Sequence, residues 1–275
     1  MKHILVPIDF SEQAECAARV AAKIAKKNDS DISLLHMLEM PQGVVDAMSG
    51  GDNSTPASLF FMKKVHERFD ELKKSNFFKG IKVNESVLFH KTFDGVIEES
   101  KKQNIDLIVM GSSGSSGIKE ILIGSNTEKI VRHSEVPVLV VKKGSSNLEI
   151  NKIVFASDFG AESKKKFQNV LDFANKFDAK LHLVYVNTPY KFKSTKIISS
   201  TMNNFINDFD IKNYDTYIYN ETSVEKGILS YADEVNADLI ALNTHGRSSL
   251  SSFFNPSIGQ DIANHALKPI ITFKI

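Results

Sequence analysis

The sequence contains a single cysteine, Cys16, among its 275 residues. One thiol excludes an internal disulfide and any zinc site built from several cysteines. No apolar run approaches the roughly 18 residues that a membrane-spanning helix needs. The N-terminus also has neither the longer apolar core nor the small-residue cleavage site of a signal peptide. We therefore expect a cytoplasmic protein without a membrane partner.

An excess of charge of either sign is also absent. Thirty-four Lys and Arg residues face 33 Asp and Glu residues, which leaves a net charge of +1. No overall field favours DNA, RNA or an anionic membrane, so we expect no nucleic-acid partner. The hydrophobic fraction of 42% and charged fraction of 24% are typical of globular proteins, and the length suggests about two domains.

Four segments of the first half return in the second half in the same order. The matching ranges are 4–11 with 153–160, 32–37 with 180–186, 104–111 with 236–243, and 132–139 with 264–271. A tandem repeat explains this order better than chance. The polar stretch 142–147 between the copies is typical of a linker. The sequence therefore predicts one domain at 1–143 and a second at 151–275.

Within each copy, short β-branched runs alternate with segments of helical periodicity. The alanine-rich run 14–25 has the spacing of one buried helix face, and Ser11 is placed to cap it. The runs 107–110 and 138–141 are apolar without alternation, as in parallel strands covered on both faces. Each copy is predicted to be an α/β unit with a doubly wound, five-stranded parallel sheet. The extra residues 40–56 of the first copy predict a mobile surface loop.

Glycine and serine residues dominate the run 111–117, directly after the strand 107–110, and Gly124 and Ser125 open the next predicted helix. Ligands of open parallel sheets bind beyond the carboxyl ends of the strands. Glycines let a backbone approach a ligand, and helix N-termini attract anions. This pattern predicts a phosphate cradle, with a flexible surface linker as the alternative. Neither a Walker A nor a G-x-G-x-x-G motif is present, and no lysine occupies the loop, which favours binding over phosphoryl transfer.

The spacing Gly111-x2-Gly114-x9-Gly124-Ser125 resembles the nucleotide-binding members of the universal stress protein (UspA-like) family. The opening run 4–11 is similar to that family's first strand and turn. The resemblance covers almost the whole chain twice, as in the tandem members. It implies Rossmann-like, adenine nucleotide alpha hydrolase-like domains, a role in the stress response, and ATP with Mg as the ligand.

The same resemblance implies binding roles for residues of the first copy. They are Pro7 and Asp9 near the adenine and ribose, Met37 at the adenine, Met110 and Gly111 along the ribose, and Gly114, Gly124, Ser125 and Asn126 at the phosphates. Met37 stands where the family usually has a valine whose backbone contacts adenine. For Asp9 the alternative is an acid at a helix N-terminus or a cap at the end of the sheet, and for Met37 and Met110 it is core packing.

The second copy departs from the family pattern. Asn243 replaces the first glycine of the motif, and Pro256 and Ser257 stand where the family has Gly-Ser. Proline removes a backbone donor and fixes φ, so this loop lacks the same backbone cradle. We expect the second copy to bind ATP weakly or not at all, with a lone anion near Ser257 as the remaining option.

The remaining histidine, serine and carboxylate residues form no recognisable catalytic or metal-binding motif. His36 and His182, which the repeat places at equivalent strand ends, are each alone and fit structural roles. The sequence shows no G-x-S-x-G elbow, no evident general base and no carboxylate pair for a metal. We therefore expect a regulatory ATP-binding protein and no enzyme, with slow ATP hydrolysis or self-phosphorylation left open.

A protein-interaction module that needs no nucleotide is the alternative function. Members of the resembled family commonly dimerise through their last strand. The two copies are therefore expected to pair internally through residues 137–142 and 269–275, which would hide two sheet edges. The same resemblance leaves a homodimer open.

Overall fold

A computed structural model describes residues 1–38, 56–89, 92–112, 124–244 and 266–274. The strands within these ranges are β1 (His3–Pro7), β2 (Asp31–Met37), β3 (Val83–Leu88), β4 (Leu107–Gly111), β5 (Val138–Val141), β6 (Lys152–Ala156), β7 (Lys180–Asn187), β8 (Tyr214–Asn220), β9 (Leu239–Thr244) and β10 (Ile270–Lys274). The helices are α1 (Glu12–Asn28), α2 (Pro56–Lys73), α3 (Thr92–Lys102), α4 (Ser125–His133), α5 (Ala161–Lys176), α6 (Thr195–Ile206) and α7 (Val224–Glu234). Short 3₁₀ turns lie at Asn76–Phe78, Ser145–Asn147 and Pro189–Lys191.

The described strands form one sheet in the order β3-β2-β1-β4-β5-β10-β9-β6-β7-β8. Neighbours within β1–β5 and within β6–β10 run parallel, which confirms the predicted α/β class. Each half has its first strand at the centre and winds outward in both directions, so each half is doubly wound. The predicted loop 40–56, apart from Pro56, and the segment between β9 and β10 up to residue 265 lie outside the described residues.

The two halves join through their last strands. β5 pairs with β10 in antiparallel register, with Leu139 opposite Ile271 and Val138 opposite Thr272. This pairing was expected, and it buries one edge of each five-stranded half inside a continuous sheet. The outer edges of the sheet are β3 and β8.

Helix α1 illustrates how the local sequence positions the edge of the sheet. The Ser11 side chain accepts the backbone N–H of Ala14, which confirms the predicted N-cap. The buried face is mostly alanine, so the helix axis approaches β1 and β4 closely. The helix ends at Asp29, whose left-handed backbone (φ 51°) lets its N–H bond the carbonyl of Ala25.

The stretch between the copies is ordered against α1 rather than extended away from it. Lys142 is buried, and its carbonyl accepts contacts from the Cys16 thiol at 3.7 Å and the Ser145 N–H at 3.1 Å. Burial raises the pKa of Cys16 and lowers that of Lys142 to about 8.

Within the described ranges, no helix combines the length and apolarity that crossing a bilayer requires.

The strand registers correct the expected equivalence of the two histidines. Pairing of β1 with β2 and of β6 with β7 aligns His182 with Ser33, and His36 with Tyr185. The expectation that His36 and His182 occupy equivalent positions is therefore wrong. His182 is buried, with its Nδ1 3.1 Å from the hydroxyl of Tyr231, which fits a structural role.

Candidate functional site

The centre of the N-terminal half is the point at which the strand order reverses. β1 pairs with β2 on one side and with β4 on the other. In open parallel sheets, ligands bind at this point, beyond the carboxyl ends of the strands. The chain leaves β1 through residues 8–11 and leaves β4 through Gly111 and Ser112, so these residues form the floor of the candidate site. Pro7, at the end of β1, is half-buried and pairs with Leu35.

The turn after β1 is organised by the carboxylate of Asp9. Its Oδ1 accepts the backbone N–H of Ser11 at 3.0 Å and the Ser11 hydroxyl at 2.6 Å. The Ser11 Oγ in turn accepts the N–H of Ala14 at 3.2 Å. Asp9 therefore orients Ser11, the residue that caps α1. The same geometry fixes a half-buried carboxylate at the edge of the sheet.

Phe10 holds this turn in an uncommon backbone conformation. Its φ of 60° lies in the left-handed region, which bulky residues rarely adopt and which persists where packing enforces it. The ring packs against His36 and Phe69, with centroids 5.0 and 5.2 Å away. The Arg68 guanidinium lies 4.6 Å from the centroid of the Phe10 ring, so a cation from α2 reaches the same edge.

His36 fastens the end of β2 to the turn. Its Nδ1 lies 2.7 Å from the carbonyl oxygen of Ile8, so the proton on Nδ1 is donated to that carbonyl. Burial lowers the pKa of His36, while the Ile8 carbonyl and the Asp9 charge oppose that shift. The neutral ring therefore serves as a spacer between β2 and the Asp9 turn.

Gly111 brings the end of β4 against the first turn of α1. A Cβ at this position would lie 3.1 Å from the backbone carbon, backbone oxygen and Cβ of Gln13. The Gly111 carbonyl accepts the hydroxyl of Thr127 at 3.1 Å, which ties β4 to α4. A Cβ here would be tighter than an ordinary van der Waals contact, so a side chain requires the first turn of α1 to shift by a few tenths of an ångström. The glycine therefore has a steric reason beyond loop flexibility.

The N-terminus of α4 is anchored above the same edge. The Gly124 N–H donates to the Ser112 carbonyl at 2.7 Å, and the Gly124 carbonyl accepts the N–H of Glu128 at 3.0 Å. Gly124 is the N-cap and has no capping side chain, and Ser125 and Asn126 are exposed. The first N–H groups of a helix have no intrahelical acceptor and carry the positive end of its dipole. This helix start is therefore able to receive an anion.

The two predicted methionines have their side chains in or against the core. Met110 is buried in a cluster with Leu5 and Val140, and Met37 packs against the same cluster. Their side chains therefore follow the core-packing alternative, which leaves their backbone atoms for the site.

Gly114 lies outside the described residues. Of the nine predicted site residues, the structure thus places eight along the ends of β1, β2 and β4 and at the start of α4.

The corresponding edge of the C-terminal half is tied together by side chains. Asn243, at the position of Gly111, is fully buried and donates from Nδ2 to the Ser163 carbonyl at 3.3 Å. The Ser163 hydroxyl donates to Asp158 Oδ1 at 3.0 Å, and the N–H of Gly160 donates to the same oxygen at 3.0 Å. An amide side chain therefore links β9 to the first turn of α5, where the other half has a direct approach of Gly111 to Gln13. The motif residues 245–257 lie outside the described residues.

Sequence reasoning missed the side chains that assemble the site from separate elements. Gln13, Arg68 and Thr127 make their contacts to Gly111 and Phe10 only once the helices have packed. The one local signal in the sequence was Thr127, which is the third residue of the helix that Gly124 caps. Among the described residues, no group of three or more His, Cys, Asp or Glu side chains is arranged to hold a metal ion.

Comparison with protein families supports the resemblance. The model of the "Universal stress protein family" matches residues 1–142 and 216–274. Universal stress protein MJ0531 of Methanocaldococcus jannaschii is 30% identical over 142 residues, which cover 52% of this chain and 82% of that protein. Universal stress protein MJ0577 of the same organism is 28% identical over 159 residues, covering 53% of this chain and 97% of that protein.

A solved structure shares the whole two-part fold. It is a universal stress protein from Archaeoglobus fulgidus, with a TM-score of 0.69 and 22% identity. The similarity covers 99% of this chain and 96% of that chain. The ten-stranded arrangement of two doubly wound halves is therefore a fold that a solved protein also adopts.

Proposed function

This chain belongs to the universal stress protein family, and we propose that its N-terminal half binds ATP where β1, β4 and the start of α4 meet. One observation carries the proposal. The first turn of α4 has no capping side chain, and the N–H of its N-cap Gly124 is held on Ser112, directly after Gly111. Its next N–H groups are thereby set above the strand ends where ligands of this fold class bind.

The phosphates are assigned to the start of α4. Backbone N–H groups of residues 125–127 donate to phosphate oxygens, and the helix dipole favours their negative charge. The hydroxyl of Ser125 and the amide of Asn126 add donors, since both residues are exposed at this turn. Backbone hydrogen-bond donors dominate among these groups, so the start of α4 fits an anionic ligand. Mg²⁺, in this proposal, is carried on the phosphate oxygens.

The nucleoside is assigned to the ends of β1 and β2. A ribose hydroxyl donates to the carboxylate of Asp9, whose position is fixed by Ser11. The adenine lies along the backbone at Met37, which ends β2 in register with β3. The polar edges of the base are then read by backbone atoms, and the methionine side chain stays in its core contacts.

We further propose that ATP acts as a regulatory ligand in the stress response and that the protein is not built for rapid turnover. Occupancy can change the shape of the protein only if ATP binds one arrangement of the site more tightly than another. The amide groups at the start of α4 are the ones that the nucleotide would contact. Their exchange with deuterium is expected to slow at saturating ATP, and unchanged exchange would contradict a signalling role.

Equilibrium binding of labelled ATP to the full chain tests the proposal. Gly124 has φ −61° and ψ 145°, which valine adopts without strain, so Gly124→Val keeps the fold while its methyl groups narrow the approach to α4. We expect this variant to lose most of the ATP affinity and to keep the wild-type circular dichroism. Competition should rank ATP above AMP and AMP above adenosine. Equal competition by adenosine would refute the phosphate assignment.

A nucleotide-independent interaction module is the second candidate, and the internal pairing of β5 with β10 favours it. The paired halves form a rigid scaffold that needs no ligand to close its central edges. A well-folded wild-type protein that binds no adenine nucleotide would support this module and exclude the first proposal.

A further inference from the structure

Large apolar side chains are exposed along the segment that runs from the end of β7 into the first turn of α6. Residues 189–197 are all exposed, and among them Tyr190 is 96% accessible, Phe192 71% and Ile197 54%. Exposed single aromatics are ordinary, but three large apolar side chains within eight residues form a patch. We call residues 189–197 the aromatic–lysine segment.

Buried side-chain contacts hold this segment in place. Asn187, itself buried, accepts the backbone N–H of Lys193 at 3.1 Å and donates to the Lys193 carbonyl at 3.2 Å. Its Nδ2 also lies 3.1 Å from Asn220 Oδ1 on the neighbouring strand. Lys191 closes a turn on the Thr188 carbonyl at 3.1 Å. The aromatic side chains therefore protrude from an ordered loop, although burying them would have been favourable.

The segment is also positively charged. Lys191, Lys193 and Lys196 alternate with the apolar residues, and the sequence has no acidic residue from 179 to 207. The whole chain carries a net charge of only +1, so the positive charge is local. The Lys193 ammonium lies 5.8 Å from the centroid of the Tyr185 ring, which keeps that charge at the base of the segment.

The acidic groups linked to the base of the segment are engaged by their own turns. Glu221 bonds the Asn187 carbonyl through its backbone N–H, while its carboxylate accepts the N–H and hydroxyl of Thr222 at 2.6 and 2.9 Å. Asp158 is bound by Gly160 and Ser163, as described above.

We propose that the aromatic–lysine segment docks the protein on an anionic lipid surface. Tyr190 and Phe192 lie at the boundary between headgroups and acyl chains, where amphipathic rings are favoured. The positive charge of the segment attracts the anionic headgroups, so apolar insertion and charge attraction act together, as reversible membrane attachment requires. This local proposal departs from the expectation, based on total charge, that the protein has no membrane partner.

Lipid accounts for the segment better than nucleic acid does. A protein that binds single strands combines a basic groove along many phosphates with stacking platforms. The segment instead has three lysines between the 3₁₀ turn Pro189–Lys191 and the first residues of α6, and it includes the exposed aliphatic Ile197, which offers no stacking face. The same aliphatic side chain has a place at an acyl-chain boundary.

Flotation of the full-length protein with lipid vesicles tests the proposal. Wild type should float with vesicles of mixed phosphatidylcholine and phosphatidylglycerol, and stay behind with pure phosphatidylcholine. We expect the double variant Tyr190→Ser/Phe192→Ser, and separately Lys191→Gln/Lys196→Gln, to bind anionic vesicles roughly tenfold or more weakly. The altered side chains are exposed, so the thermal unfolding curves of these variants should match wild type.

A matched control is Phe60→Ser, which removes a 54% exposed aromatic whose ring is covered by the Lys64 ammonium at 4.8 Å. It should bind vesicles like wild type. Absence of wild-type binding to anionic vesicles, or binding by both double variants as tight as that of wild type, would overturn the proposal. Binding of a labelled single-stranded oligonucleotide without vesicle binding would also overturn it and would assign the segment to nucleic acid. None of these readouts uses ATP, so they are independent of the proposed nucleotide function.

Discussion

Lys274 of the C-terminal half caps the far end of the helix that begins at the candidate site. Its Nζ donates to the backbone carbonyl of His133 at 3.1 Å. His133 ends α4, whose first residue is Ser125. A cation at this end satisfies an orphan carbonyl and complements the helix dipole. The second copy therefore supports the proposed phosphate helix of the first copy, although its own corresponding strand end carries Asn243 in place of the glycine.

The first prediction follows from this contact. Lys274→Met should lower the free energy of unfolding in urea by about 1 kcal/mol, because it removes a charge-assisted hydrogen bond at a helix terminus. The control Lys166→Met changes an exposed lysine and should stay within about 0.5 kcal/mol of wild type. Equal stability of the two variants would mean that the Lys274 contact does not stabilise α4.

The second prediction concerns two described glycines at which a Cβ would be crowded, moderately at Gly111 and severely at Gly227. Gly111→Ala places a Cβ 3.1 Å from backbone atoms of Gln13, and Gly227→Ala places one 2.4 Å from Cγ1 of Val186. Each should cost about 1–3 kcal/mol of unfolding free energy. Only Gly111→Ala should also weaken ATP binding, since Gly227 lies in α7 of the C-terminal half. Equal loss of ATP affinity in both would show that overall stability, rather than the site, is being measured.

The third prediction is a pH dependence that arises from His36. Burial depresses its folded-state pKa below the ordinary 6.5, so the unfolded chain binds more protons as the pH falls through that value. The free energy of unfolding should therefore decrease from about pH 7 to pH 5. His36→Gln should flatten this part of the profile. An unchanged slope in the variant would assign the acid sensitivity to other groups.

The fourth prediction is a rise in stability at alkaline pH that arises from Lys142. Its pKa is lowered to about 8 from an ordinary 10.5, so between these values the unfolded chain holds a proton that the folded chain has lost. Wild type should gain up to about 3 kcal/mol relative to Lys142→Met from pH 8 to pH 10.5. Parallel stability profiles for the two proteins would contradict the burial of a titrating ammonium.

Local signals predicted the elements and their order. The Ser11 cap, the alanine face of α1 and the glycine at the start of α4 each depend on neighbours within a few residues. Pairing between the last strands was also predictable, because the repeat, together with the family's mode of dimerisation, indicated which edges would meet.

Contacts between distant elements could not be predicted in this way. The approach of Gln13 to Gly111 and the bond from Thr127 to the Gly111 carbonyl exist only after two helices have packed on the sheet. The incorrect equivalence of His36 and His182 has a related cause. Short apolar strands resemble one another at several offsets, and their register is fixed by the neighbouring strand.

The central claim is that only the first half of the repeat binds ATP, and a pair of equivalent aspartates tests it directly. Asp9 and Asp158 each accept hydrogen bonds that hold the turn after the first strand of their half. Asparagine keeps an acceptor oxygen at either position, so the two replacements form a matched pair. Equilibrium ATP binding to the full chain, with the stoichiometry measured, should give one site in wild type.

Asp9→Asn should weaken ATP binding at that site by roughly tenfold or more, since a hydrogen bond to a charged group is lost, while Asp158→Asn should bind like wild type. Two sites per chain, or equal loss of affinity in both variants, would contradict the account.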